Sequence, residues 1–127
     1  MTIKDPIISL SKYQEFVAAG YAGRNDSHNA RIINGVFGLV GETGEVVDIV
    51  KKNFFDRDGA LPESQRDHFI EEMGDVLWYL TELAVVYHVD IEDVMLQNLR
   101  KLCTRYPESS KKWLSSLSNM QRRYLGL

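Results

Sequence analysis

Two short runs of this sequence place acids three residues apart beside a glycine. Gly41-Glu42-Thr43-Gly44-Glu45-Val46-Val47 and Glu71-Glu72-Met73-Gly74-Asp75-Val76-Leu77 superpose at an offset of thirty residues, with Glu42 over Glu72 and Glu45 over Asp75. On a helix turning about 100° per residue, each acid pair projects from one patch roughly 60° wide. The patch borders the apolar face, because Val76 and Leu83 fall within about 40° of Glu72, and Leu39, Val46 and Ile49 flank Glu42 in the same way. If the two helices pack antiparallel, four carboxylates converge. Such a cluster repels itself and raises its own pKa values unless cations neutralise it. Hard oxygen donors select Mg²⁺, with Mn²⁺ as the alternative, and the remaining coordination positions are filled by water and phosphate oxygens. An isolated E-x-x-E is ordinarily a solvated helix face. Its duplication at two apolar borders is what points to metal: Glu42, Glu45, Glu72 and Asp75. A di-iron carboxylate bundle would need Glu-x-x-His twice. The residues three before His28, His68 and His88 are Asn25, Gln65 and Val85, so that chemistry is excluded.

Counter-charge comes from further along the chain. Asn98, Lys101 and Arg105 share one helical stripe and are candidates for contacting substrate phosphate, against the plainer reading of cations at a helix C-terminus. Lys51 and Lys52, beyond Glu45, carry the same two readings. Tyr79, one turn past Asp75, is placed to stack on a base or to pack in the core. Glu45 and the extra acid Glu71 are the candidates for a general base.

The elements that must position these groups are helices. Ser9 or Ser11 caps a first one bearing Tyr13, Phe16 and Val17, and the stretch 20–26 breaks it. A second runs from Ser27 to about Lys52 on an apolar stripe of Ile33, Val36, Phe37, Val40, Val47 and Val50, despite the unfavourable Gly38, Gly41 and Gly44. Residues 53–61 read as a loop, with Pro62 in the first turn of a third helix whose apolar stripe is Phe69, Met73, Val76, Leu77, Leu80, Leu83, Ala84 and Tyr87. Asp90 caps a fourth, with Ile91, Val94, Met95, Leu99 and Leu102 on its apolar face, and Pro107 ends it. Residues 108–127 form a partly helical tail. No segment alternates with a period of two, so the expected class is all-α, a four-helix-bundle-like domain over residues 1–107 followed by that tail.

Composition narrows the function classes. A chain of 127 residues with 44% hydrophobic and 26% charged residues is an ordinary folded domain rather than a disordered one. A net charge of −3 argues against a nucleic-acid partner, which needs a basic surface. The single cysteine, Cys103, cannot close an intramolecular bridge, so a reducing, cytoplasmic setting is expected. Neither a signal peptide nor a membrane span is expected, since Glu82 and His88 interrupt the most apolar stretch.

Three separated motifs occur together: 38–46 around Gly41-Glu42-Thr43-Gly44-Glu45, 71–80 around Glu72-Met73-Gly74-Asp75, and Asn98-Leu99-Arg100-Lys101-Leu102 with Arg105-Tyr106-Pro107. In this order they closely resemble the MazG-like branch of the all-α nucleoside triphosphate pyrophosphohydrolases over roughly residues 10 to 107. The resemblance implies metal ligation by Glu42, Glu45, Glu72 and Asp75. Where many members carry a second glutamate before the first ligand, this chain has Gly41. The implied activity is Mg²⁺-dependent hydrolysis of a nucleoside or deoxynucleoside triphosphate between its α and β phosphates, giving the monophosphate and pyrophosphate. A homodimer or dimer of dimers is implied as well. A phosphoribosyl-ATP pyrophosphohydrolase would share the acid motifs, and a non-catalytic helical dimerisation module is the remaining alternative.

Overall fold

Short oxygen-bearing side chains start four of the six helices in the computed structural model of this chain, which describes residues 8–21 and 25–126. Ser9 Oγ accepts from the Lys12 amide at 3.2 Å, Ser27 Oγ from Ala30 at 3.2 Å, Asp90 from Glu92 at 2.8 Å and Ser118 Oγ from Gln121 at 3.2 Å. Each bond satisfies an amide that the first helical turn leaves without an internal partner. The helices are α1 (Leu10–Tyr21), α2 (His28–Arg57), α3 (Glu63–Val86), α4 (Ile91–Arg105), α5 (Pro107–Ser116) and α6 (Asn119–Leu125). No strand occurs among the described residues, so the all-α class holds. The chain forms two compact units, residues 1–88 with α1 to α3 and residues 89–127 with α4 to α6.

In the first unit α2 and α3 pack antiparallel. Gly35 lies against Leu83, Gly38 against Tyr79 and Asn53 against Gln65, so numbers rise along one helix as they fall along the other. A Cβ on Gly38 would sit 2.2 Å from the Tyr79 ring, which explains one of the helix-interior glycines: the two axes approach there too closely for any side chain. The third helix also carries α1. Trp78 makes an edge contact with Phe16 at 5.9 Å between centroids, and Gly20 comes against the far edge of its indole.

Two expectations need correction. Residues 53–57 continue α2 rather than opening a loop, because the buried Asn53 bonds both ways: its Nδ2 donates to the Ile49 carbonyl at 2.8 Å and to Gln65 Oε1 at 2.9 Å. The chain turns only at Asp58 and Gly59, both in the left-handed region at φ 53° and 80°. Pro62 accordingly stands just outside α3 as its N-cap.

The apolar stripes are only partly covered. Ile33, Val36, Phe37, Val40, Val47 and Val50 are all exposed, Phe37 at 72%. On α3 Met73 and Leu80 are exposed, as is Tyr87 just past its end, while Thr81, Glu82, Ala84 and Val86 are buried. The α2 face against α3 carries Gly35 and Gly38, small residues that permit the close approach, and Ile49 is buried on α2 as well.

In the second unit Ile91 and Leu96 are buried, whereas Val94, Met95 and Leu102 are exposed. The tail is helical for most of its length. Arg100 on α4 donates from Nε to the Leu125 carbonyl at 2.5 Å, and the Tyr124 hydroxyl donates to Glu92 Oε2 at 2.9 Å, so α6 folds back on α4. Pro107, which cannot continue a helix from within, occupies the first turn of α5. No helix among the described residues is long and apolar enough to cross a membrane.

Candidate functional site

Antiparallel packing sets Glu42 of α2 across from Glu72 and Asp75 of α3. One carboxylate oxygen from each lies within 4.8 Å of the other two. Glu42 and Glu72 are half-buried and Asp75 is exposed, so the cluster opens to solvent on one side. The Glu42 carboxyl is held above the ordinary carboxylate range, first by burial, then by a hydrogen bond shared with the Glu72 carboxyl and by the charges of Asp75, Glu72 and Glu45. Mutual repulsion among acids withdrawn from water is the signature expected of a cation site, and an all-oxygen donor set fits a hard divalent ion.

The other site candidates separate into those near the cluster and those elsewhere. Glu45 is exposed and its charge reaches Glu42, but its carboxylate stands outside the tight group of three. Glu71 points outward, with a side chain 76% exposed. Lys52 Nζ pairs with Asp48 Oδ2 at 2.5 Å, and Lys51 is exposed. The Tyr79 ring packs on Gly38. On the second unit, Asn98 and Lys101 line a cavity of about 600 Å³ together with Val89, Val94 and Gln97. Arg105 is exposed in the last turn of α4.

Two residues beside the cluster escaped the reading of the sequence. Tyr13 of α1 has its hydroxyl held above the usual phenol range by burial and then by the Asp75 charge, and it lines an apolar cavity of about 590 Å³ with Ile8, Lys12 and Phe16. Nothing in the sequence links Tyr13 to Asp75, since their proximity comes from α1 docking on α3. His68 Nδ1 stands 3.4 Å from Glu72 Oε1 and 3.9 Å from Glu71 Oε2. Its position four residues before Glu72 on one helix was a legible signal.

A family model described as the MazG nucleotide pyrophosphohydrolase domain matches residues 35–110, more than half of the chain. Among curated proteins, the Gene 37 protein of Mycobacterium phage L5 is 40% identical over 86 residues, covering 67% of this chain and 75% of the phage protein. The dCTP pyrophosphatase 1 of Mus musculus is 34% identical over 76 residues, covering 58% of this chain and 45% of the mouse protein. The protein YvdC of Bacillus subtilis (strain 168) is 36% identical over 73 residues, covering 54% of this chain and 69% of YvdC. No solved structure matches the chain significantly.

Proposed function

The chain belongs to the MazG nucleotide pyrophosphohydrolase family, and from that premise we propose that it hydrolyses nucleoside or deoxynucleoside triphosphates at the α–β linkage, releasing nucleoside monophosphate and pyrophosphate. The observation that carries this reading is the meeting of Glu42, Glu72 and Asp75 from two helices within the matched residues. Glu45, exposed one turn beyond Glu42, would be the fourth ligand if Glu71 rather than Glu45 serves as the base. A bound Mg²⁺ would neutralise phosphate charge and lower the pKa of a coordinated water.

The protein's own groups do the rest. The carboxylates orient the water, and Glu45 or Glu71 takes its proton as the oxygen attacks phosphorus. The phosphoanhydride bond to pyrophosphate then breaks. Lys101 and Asn98, which share a cavity, are proposed to hold substrate phosphate and ribose or base, with Arg105, Lys51 and Lys52 adding positive charge. Tyr79 is proposed to offer its ring edge to the base while its face rests on Gly38.

The exposed apolar stripe of α2 supports a homodimer or dimer of dimers as the working form. A first unit with few buried apolar side chains and a helix-long exposed row of Ile33, Val36, Phe37, Val40, Val47 and Val50 has more to bury than one chain covers. Light scattering is expected to give at least twice the 14.6 kDa chain mass, and Phe37→Glu to lower it.

Pyrophosphate release with and without Mg²⁺, over the eight common nucleotides and phosphoribosyl-ATP, tests the activity. The name of the mouse relative makes dCTP the first substrate to try. Mg²⁺-dependent release from at least one triphosphate is expected. Absence of release from all of them would leave the non-catalytic alternative.

A further inference from the structure

We propose that His68 is a positioning residue: its Nδ1–H holds the Glu72 carboxylate in the orientation that a divalent cation requires. The inference rests on the metal-site reading above and goes beyond its ligand set. His68 precedes Glu72 by one helical turn on α3, the spacing at which side chains on one face meet, and its Nδ1 stands 3.4 Å from Glu72 Oε1. The Glu72 side chain is only 15% exposed, so little water is at hand to solvate its carboxylate. Its neighbours in the cluster, Glu42 across on α2 and Asp75 on its own helix, are acids and offer it no cation. Turned onto Oε1, the Nδ1–H would do for this carboxylate what outer hydrogen-bond partners do in metal sites generally, fixing its rotamer for the ion.

The same Nδ1 lies farther, at 3.9 Å, from Glu71, whose side chain is 76% exposed and solvated. That contact has little to organise. The role asked of His68 needs only the neutral imidazole with its proton on Nδ1. It follows that asparagine, whose amide nitrogen falls near the position of Nδ1, should substitute, whereas glutamine, which reaches to the position of Nε2, should not.

The test is Mn²⁺ binding to the full chain without nucleotide, read as the free-ion signal in electron paramagnetic resonance, for wild type, His68→Ala, His68→Asn and His68→Gln. His68→Ala is expected to weaken Mn²⁺ binding about tenfold, the low end for loss of a hydrogen-bond partner of a metal ligand. His68→Asn should stay within about threefold of wild type and His68→Gln should resemble His68→Ala. His68 is exposed on a helix surface, so the melting temperatures of the metal-free proteins should agree. Unchanged or tighter binding by His68→Ala overturns the proposal, as does His68→Asn behaving like His68→Ala. Loss of affinity that tracks loss of metal-free stability also overturns it, by marking a structural role. If wild type itself binds no Mn²⁺, the metal-site reading fails and this inference with it; if wild type binds and His68→Ala binds equally, only the role of His68 fails.

Discussion

The indole Nε1 of Trp78 donates a 2.6 Å hydrogen bond to Oε1 of Glu82, one turn further along α3, and the glutamate is only 2% exposed. Its second oxygen, Oε2, is buried with no hydrogen-bond partner. Burial pushes the Glu82 carboxyl up to about 7. The proton on Glu82 is therefore part of the packing of α3, and its loss leaves a buried charge.

Folding stability should consequently fall as pH rises. With the folded pKa raised from 4.5 to about 7, the contribution of Glu82 is fully present below about pH 4.5, is lost between there and pH 7, and is constant above. The span corresponds to about 3 kcal/mol. Glu82→Gln keeps the shape and an acceptor for Trp78 but cannot ionise. Urea unfolding at pH 4 and pH 8 is expected to show the variant gaining on wild type by that amount at the higher pH. A difference independent of pH would mean that Glu82 ionises freely in the folded chain.

Two glycines of α2 should respond in opposite ways to alanine. At Gly38 a Cβ would lie 2.2 Å from the Tyr79 ring, and overpacking of about 1–3 kcal/mol outweighs the helix-propensity gain of about 1 kcal/mol. Gly41 has nothing within 4 Å of its Cβ position, so Gly41→Ala should be neutral or stabilising by up to about 1 kcal/mol. Chemical denaturation of both variants distinguishes them. Tyr79→Leu should restore most of the loss in Gly38→Ala, because the clash belongs to that pair.

Removing one charge from the acid cluster should aid folding while ending catalysis. Asp75→Asn relieves the repulsion that raises Glu42, so the metal-free melting temperature should rise. The amide is a poor ligand for a hard cation, and turnover should drop by at least about a hundredfold. Glu45→Gln should lose activity to a similar extent if Glu45 joins the ligand set. Calorimetry with chelator present, paired with pyrophosphate assays, reads both effects.

For Lys101→Ala, KM should rise more than kcat falls, since a contact made equally to bound substrate and transition state registers in binding alone. An unchanged KM would return Lys101 to the status of an exposed helix cation. Lys52→Ala provides the comparison: because Lys52 is already engaged with Asp48, a smaller change in KM is expected.

The C-terminal helix should be held by one arginine. Arg100→Ala removes donors to the carbonyls of Leu125 and Tyr124, and loss of such charged hydrogen bonds is worth about 1.5–3 kcal/mol, less where solvent competes. Hydrogen exchange should accelerate in residues 119–125 while α2 and α3 keep their protection. Equal rates in wild type and variant would show that Leu125, buried in its own right, suffices to hold α6.

Local chemistry was readable from the chain alone. Oxygen-bearing side chains at Ser9, Ser27 and Asp90 cap their helices because a cap needs nothing beyond three residues of neighbouring backbone. The pairing of two acid motifs was readable for a related reason: the helical period fixes which residues share a face, and a short connection between two helices favours antiparallel neighbours. From those facts alone Glu42 and Glu45 could be set opposite Glu72 and Asp75, and of these four Glu42, Glu72 and Asp75 form the tight group.

Tertiary packing decided what periodicity leaves open. An apolar stripe states that a face avoids water but not what covers it, and on the folded chain the row from Ile33 to Val50 stands exposed. Close approach of α2 and α3 at Gly35 and Gly38 selected a face of small residues for the contact, and brought the acids with it. Glu82, which its charge alone would have placed outside, is buried beside Trp78, which supplies a donor within one helical turn. Tyr13 reached Asp75 only because α1 docks on α3. Pair contacts between helices depend on axis separation and rotation, which are set by the shapes of all the side chains at the contact, whereas caps and helical faces depend on a few covalently linked neighbours.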